Sequence, residues 1–317
     1  MDKETSVYTG LGTDGVKIYE THMETSINDK KEFIKPYIQN EKVGLIVDFG
    51  CSNGAFFKSL IEEKDQVYKN IQCIGYDLDD GALGRARKNV PNGKFFNGEQ
   101  TRKLLSRVEK FRKNNPTKKV LINMSSFLHE VYSYAEYQSD IDKVYGLIDS
   151  IKPDFIAIRD FYMTKDEKHS PIRRDILIKA NRALRSKQID ISRSSGEKQS
   201  FAPIIKAWNI CHVKRHDAEQ KQLMHLLLTS RYREDKGGFA MRELLENYMK
   251  VSDDKIRQIS DLGGGYTIVE RGGKKDVARS STPSFVEYLK KEARLSQEQI
   301  DSLPKTKIKL VLERTRP

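Results

Sequence analysis

Two textures of apolar and polar residues divide this chain. From residue 43 onward, short and nearly continuous apolar runs alternate with segments whose apolar residues recur every three or four positions. The first run, 43–50, is VGLIVDFG, apolar until an acid, a phenylalanine and a glycine end it. A strand covered on both faces of a parallel sheet has this texture, because neither face meets water. Further runs at 71–77, 94–98, 119–125 and 154–160 predict four more strands. Between them, 55–62, 80–89, 101–113 and 137–150 carry the period of a helix. Phe56, Phe57, Leu60 and Ile61 are expected inward on the first of these helices, and Arg85, Arg87 and Lys88 outward on the second. Strand and helix alternate about every 25 residues, which demands parallel strands joined by right-handed crossovers. The expected fold is α/β, a doubly wound and mostly parallel sheet that takes its ligands at the carboxyl ends of the strands.

The flanks read differently. Residues 1–40 have the look of an appendage: a loop with Gly10, Gly12 and Gly15, then a short helix around Phe33, Ile34 and Ile38. Pro36 falls inside that helix and is expected to break or shorten it. The glycine loop is too irregular to cradle a phosphate, and no strand precedes it. After residue 160 the alternation stops for about 100 residues. The segment 172–187 is amphipathic, with Ile176, Leu177, Ala180, Ala183 and Leu184 on one face and Arg174, Arg182 and Arg185 on the other. Further helices are expected at 218–232 and 239–249. Strand-like pieces at 265–270 and 307–313 close the chain. The expected organisation is an appendage (1–40), a core (41–160), a helical insertion for substrate recognition (161–262) and C-terminal antiparallel strands that complete the sheet (263–317).

Composition narrows the class. A length of 317 residues suits one large domain or two small ones. No stretch approaches 18 consecutive apolar residues, so no membrane-spanning helix is expected. Met1-Asp2-Lys3-Glu4 has no apolar run behind it and does not read as a secretory signal. Cys51, Cys73 and Cys211 make neither a disulfide framework nor a CxxC pair, so a reducing cytoplasm is the simplest compartment. The net charge is +12, and 161–240 alone holds 17 basic and 9 acidic residues, an excess of +8. His169, His212, His216 and His225 fall there too. Such an excess suits a polyanion such as RNA or DNA, and equally a solvated lysine-rich face. His212 and His216, with Cys211 beside them, have helical spacing for a metal but do not fall in an acid-flanked metal motif, so no metal site is expected.

The segment that carries chemistry is Asp48-Phe49-Gly50-Cys51-Ser52-Asn53-Gly54, between the first strand and the first helix of the core. Gly50 and Gly54 let the chain turn sharply and bring its backbone against a ligand. The helix that follows adds free amide donors. Asp77 ends the second strand, 27 residues after Gly50, where a carboxylate can accept both hydroxyl hydrogens of a ribose. Two ligands compete, a dinucleotide and S-adenosylmethionine. The dinucleotide fingerprint is GxGxxG, whereas here Ser52 replaces the second glycine and the spacing is GxxxG. Asp48 would repel a pyrophosphate and suits the ammonium of a methionine moiety. Cys51 reads as a small packing residue.

At these residues the chain resembles the class I S-adenosylmethionine-dependent methyltransferases, a Rossmann-like family. Their first motif, D/E-x-G-x-G-x-G, is matched at Asp48, Gly50 and Gly54, with Ser52 for the middle glycine. Their acid after the second strand is matched by Asp77, with Leu78 beside it. The resemblance implies that Asn97 or Glu99 meets the adenine, and that Ser125 joins the cofactor set. It covers roughly residues 43–160, and the final strand pair suits the antiparallel hairpin that usually ends the family's sheet. The segment after the fourth strand crowds Ser125, Ser126, His129, Glu130, Tyr132 and Tyr134 into ten residues. His129 or Glu130 is a candidate base, with Ser126 facing the acceptor. The competing account has His129 and Glu130 fixing the loop, because a sulfonium is already activated and methyl transfer can proceed by positioning alone.

Absences refine the picture. The fourth strand is not followed by Asn/Asp-Pro-Pro-Tyr, the mark of base-amine methyltransferases, nor by the Pro-Cys pair of the cytosine-C5 mechanism. The expectation is methyl transfer from S-adenosylmethionine to an oxygen or nitrogen, on nucleic acid (RNA before DNA), with Arg174, Arg182 and Arg185 in the substrate face. The alternatives are a small-molecule acceptor under a helical lid, or a nucleic-acid-binding module without turnover.

Overall fold

The computed structural model describes residues 26–63, 68, 70–135, 137–162, 173–185, 188–190, 198–200, 251–275, 290–291, 294–302 and 307–315. The chain enters through helix α1 (Ile27–Asn40) and passes into β1 (Val43–Phe49). There follow α2 (Ala55–Glu62), β2 (Gln72–Tyr76), α3 (Asp80–Asn89), β3 (Lys94–Phe96), α4 (Thr101–Asn114) and β4 (Lys119–Ser125). Next come α5 (Leu128–Tyr134), α6 (Gln138–Ile151) and β5 (Phe155–Phe161). Beyond them lie α7 (Arg174–Arg185) and a separate hairpin of β6 (Gln188–Asp190) and β7 (Lys198–Ser200). The last described elements are α8 (Asp253–Ser260), β8 (Tyr266–Lys275), α9 (Gln297–Asp301) and β9 (Lys307–Arg314).

Seven strands form one sheet in the order β3-β2-β1-β4-β5-β9-β8. Strands β1 to β5 are parallel, β9 runs antiparallel to β5, and β8 antiparallel to β9. This is the doubly wound, mostly parallel sheet with an antiparallel end that the strand pattern implied. Chain order runs outward from β1 in one direction to β3 and resumes at β4 in the other. That reversal opens a crevice at the carboxyl ends of β1 and β4, where open α/β sheets bind ligands.

The apolar runs are central because all seven residues of β1 and of β5 are buried. Alternate residues feed two faces. Leu45, Val47, Ile122 and Met124 pack with Leu104, Val108 and Phe111 of α4, Ile148 of α6 and Ile256 of α8. Ile46, Leu121, Phe155 and Ala157 pack with Phe33 and Ile34 of α1, Phe57 and Leu60 of α2, and Leu83 and Ala86 of α3.

The structure departs from the sequence pattern in four places. Helix α1 continues through Pro36 for 14 residues, because Phe33, Ile34 and Ile38 are all held in the core on its inner face. The described part of the 1–40 segment is thus built into the main core. Ile61 is 57% exposed, since α2 turns it past the edge of the buried stripe. Residues 128–134 form a helix where a loop was expected, and α8 and α9 carry patterns too short to recognise. The expected helices 218–232 and 239–249, and Cys211, His212, His216 and His225, lie outside the described residues. No helix among the described residues is long and apolar enough to cross a membrane.

Candidate functional site

The loop after β1 reverses the chain through three left-handed positions, Gly50 (φ 71°), Ser52 (φ 49°) and Gly54 (φ 74°). Its amides are fixed: Gly50 and Cys51 donate to the Tyr76 carbonyl at 2.8 and 3.2 Å, and Gly54 donates to the Cys51 carbonyl at 2.9 Å. A Cβ on Gly50 would come within 3.0 Å of the Phe127 ring, and one on Gly54 within 3.1 Å of the Ala86 Cβ. Glycine is therefore required at both positions by conformation and by space. Ser52 has no such exemption. Its left-handed backbone is held by an N–H bond to Asp77 Oδ2 at 2.8 Å. Asn53, which the sequence did not single out, accepts the Ala55 amide at 3.1 Å with its side chain and the Asn89 amide group at 2.9 Å with its carbonyl.

Asp77 also accepts the Asp79 amide on Oδ1 at 3.0 Å. Burial raises its pKa, and the amides of Asp79 and Ser52 work against that rise. The Leu78 amide bonds to it as well, and a carboxylate with about four acceptor sites still has capacity after these three amides are counted. Beside it, Leu78 is 44% exposed, an apolar surface at the end of β2. β3 ends in register with β2, Tyr76 opposite Phe96, so Asn97 and Glu99 emerge next to Asp77 and Leu78. Asn97 accepts the Glu99 amide at 3.2 Å and donates to Asp80 Oδ1 at 2.9 Å. Its side chain thereby caps the turn Gly98–Gln100, while Glu99 is exposed.

Asp48 sits across the sheet from Asn123 of β4, which donates to its Oδ1 at 2.6 Å. Ser125 Oγ donates in turn to Asn123 Oδ1 at 2.9 Å. All three are buried. Burial pushes the Asp48 carboxyl up to about 6, against the pull of the Lys30 charge and the Asn123 hydrogen bond. Lys30 reaches this cluster from α1. Burial pulls its ammonium down to about 8, and Asp48, Glu130 and Asp160 oppose that fall.

At the end of β4, Ser126 is left-handed (φ 58°) and donates its N–H to the Arg159 carbonyl at 2.7 Å. Asp160, the last acid of β5, then organises α5. Its Oδ2 accepts the amides of Phe127, Leu128 and His129 at 3.0, 2.6 and 3.3 Å. Its Oδ1 lies 2.6 Å from His129 Nδ1 and accepts the Phe161 amide at 2.7 Å. An anion at the amides of a first helical turn satisfies donors that the helix leaves open. His129 is 3% exposed and stands edge-on to Phe161 at 5.2 Å between ring centroids. Glu130 is half-buried. Tyr132 turns into the core, its hydroxyl 2.7 Å from that of Tyr145.

The loop 50–54, Asp77, Asp48, Ser125 and the 126–130 segment thus share the carboxyl ends of adjoining strands. The arginines expected in the substrate face lie on α7. Arg174 and Arg182 are exposed on α7, which is tied to α9 through Lys179 and Gln299 at 2.8 Å. Neither forms a hydrogen bond or ion pair with a candidate cofactor residue among the described residues, and the Arg185 side chain lies outside them. Sequence reading did not place Lys30, Asn123 or Asp160 in the site. A polar Asn in an otherwise apolar strand and an acid closing β5 were usable signals; Lys30 gave none.

No protein-family model matches the chain, and no curated protein matches it. Solved structures resemble it in overall form. The plantazolicin methyltransferase BamL, in complex with a triazolic desmethylPZN analog and SAH, is 13% identical over 99% of this chain and 94% of its own, with a TM-score of 0.48. The plantazolicin methyltransferase BpumL in complex with SAH is 11% identical over 99% of this chain and 95% of its own, with a TM-score of 0.44. Magnesium protoporphyrin IX methyltransferase from Synechocystis PCC 6803, with bound SAH, is 10% identical over 98% and 91%, with a TM-score of 0.41. The architecture in hand, five parallel strands closed by an antiparallel pair, is the one that the class I methyltransferase resemblance implies.

Proposed function

We propose that this chain is an S-adenosylmethionine-dependent methyltransferase acting on an oxygen or nitrogen acceptor in nucleic acid, RNA before DNA. The observation that carries the cofactor assignment is the coupling of Asp77 to the glycine loop through the Ser52 amide. One carboxylate fixes the loop and keeps acceptor capacity for the hydroxyl donors of a ribose diol. Leu78 supplies an apolar surface for the adenine, with Asn97 and Glu99 at its edge. Asp48 and Lys30 place one acid and one base where a methionine moiety carries its ammonium and carboxylate. When bound, the cofactor supplies a methyl group on an activated sulfonium. The chain's own part is to hold the acceptor in line and keep water out.

In this reading Asp160 and His129 are positioning residues, since Asp160 holds both the first turn of α5 and the imidazole. Ser126 and Glu130 face the acceptor, with Glu130 as the proton acceptor. The basic excess in 161–240 favours a polyanionic substrate. Calorimetry with S-adenosylhomocysteine tests the cofactor, and transfer of label from S-adenosylmethionine to RNA, DNA and small-molecule pools tests the acceptor. Absence of binding at millimolar ligand overturns the reading. Label that appears only in small molecules removes the nucleic acid. Glu130→Gln is expected to lower kcat with cofactor affinity kept, and unchanged turnover would leave positioning as the whole mechanism.

A further inference from the structure

The β3 edge of the sheet carries a second feature. A groove of about 800 Å³ runs between the edge strand β3 and helix α4. Its cationic lining comes from three places: Arg87 at the end of α3, Lys94 of β3, and Arg102, Lys103, Arg107 and Lys110 of α4. No acid among the described residues lines it, and Glu109, the exposed acid of α4, lies outside it. Arg87 is steadied by a bond to the Phe95 carbonyl at 3.0 Å. The other five cations are exposed and form no ion pair with a described residue. Six like charges along one groove, none ion-paired with a described residue, repel each other, and a polyanion relieves that repulsion.

The shape of the patch points to one strand of nucleic acid. Arg102 to Lys110 spans about 12 Å of helix, room for about three phosphates at the axial spacing of a nucleic-acid strand. Past Lys94, Arg107 and Lys110 the groove continues into a hollow of about 400 Å³ at the amino ends of β2 and β3. Gln72, Asn92 and Asn114 present amide groups there, beside the exposed apolar Ile61. Amides can pair with Watson–Crick edges, which only unpaired bases offer. We propose that the α4–β3 groove binds the backbone of single-stranded nucleic acid, with unpaired bases in the adjoining hollow. The groove runs along β3 toward the turn that carries Asn97 and Glu99, but none of its cations belongs to the proposed cofactor site, and the proposal stands whether or not methyl transfer occurs.

The test is fluorescence anisotropy of the full chain with a labelled 20-nucleotide single-stranded RNA, its DNA counterpart and the matching duplex, at two salt concentrations. Arg102→Gln with Arg107→Gln is expected to weaken binding about tenfold and to reduce the slope of log affinity against log salt by about 1.4, two single-strand phosphate contacts. Lys94→Gln with Lys110→Gln should reproduce the loss, which guards against misfolding of one variant. Lys143→Gln with Lys255→Gln removes the same charge on α6 and α8, neither of which lines the groove or the hollow, and should leave affinity within about twofold, because distant charges are screened. Undetectable binding at low salt, equal losses in groove and control variants, preference for the duplex, or competition by polyglutamate as strong as by RNA would each overturn the proposal. Loss of groove binding with S-adenosylhomocysteine binding retained separates this site from the cofactor reading.

Discussion

Asp77 and Asp48 carry the most consequence per atom. Asp77 accepts the Ser52 and Asp79 amides, so Asp77→Ala removes both the proposed ribose contact and the bond that holds Ser52 left-handed. Calorimetry should show the S-adenosylhomocysteine affinity of that variant lower by about 10–150-fold, the loss of a hydrogen bond to a charged group at about 1.5–3 kcal/mol. An unchanged affinity would remove Asp77 from the ribose. Asp48 predicts a pH dependence. Its folded pKa of about 6 lies above the ordinary 3.8, so the native state holds this proton more tightly than the unfolded chain does. The stability it contributes is complete below its unfolded pKa and is lost as pH rises through about 6, about 3 kcal/mol in all. Lys30, Asn123 and Asp77 all act on the same carboxyl, so the comparison must be with Asp48→Asn. Relative to that variant, the wild-type denaturation midpoint should fall between pH 4 and 6 while affinity for S-adenosylhomocysteine rises over the same interval. Affinity that tracks pH alike in both proteins would detach Asp48 from the ammonium.

Helix α1 is the element whose role changed most between pattern and structure. The pattern supplied its apolar stripe, Phe33, Ile34 and Ile38, and the proline that should have stopped it. What the pattern could not supply is Asp29, which accepts from Arg159 Nε at 2.7 Å and from Lys309 Nζ at 2.6 Å. Burial alone would raise Asp29, but those two partners outweigh it and hold its carboxyl well below the usual carboxylate range. The pair joins residues 130 and 280 positions apart, beyond the reach of any local periodicity. Asp29→Ala strands the buried Arg159 and should lower stability by about 2–4 kcal/mol, under the range for a fully buried pair because Asp29 keeps some exposure. Lys309→Ala, which leaves the Arg159 bond in place, should cost less. A urea midpoint for Asp29→Ala no lower than for Lys309→Ala would show that α1 is held by its apolar face alone. The same distinction explains α5: Leu128, His129 and Tyr132 are buried, but the helix is only seven residues long and its start is set by Asp160 from another strand.

At the scale of the whole molecule, the order of the sheet was legible and the convergence on the site was only half so. Runs such as 43–50 and 119–125 announced buried parallel strands because both faces must be apolar, and each of β1 to β5 lies within two residues of its pattern. The glycine loop and Asp77 were legible because they depend on backbone conformation and local spacing. Lys30, Asn123 and Asp160 were not, because their roles arise where α1, β4 and β5 meet. That architecture makes a last prediction, for hydrogen exchange. β1 and β4 are paired on both sides by parallel neighbours, and β5 by β4 and β9, all deep in the core. β3 is a three-residue edge strand. Amides of Val47, Ile122 and Ala157 should therefore exchange only through global unfolding, and those of β3 through smaller openings. Ligand bound to the folded chain alone adds about 2.7 kcal/mol at a hundredfold excess over Kd, which slows globally limited exchange about a hundredfold. S-adenosylhomocysteine should thus slow the β1, β4 and β5 amides by that factor and the Ser52 amide with them, while β3 changes less. A retarded β3 with an unaffected Ser52 would place the ligand somewhere other than the glycine loop.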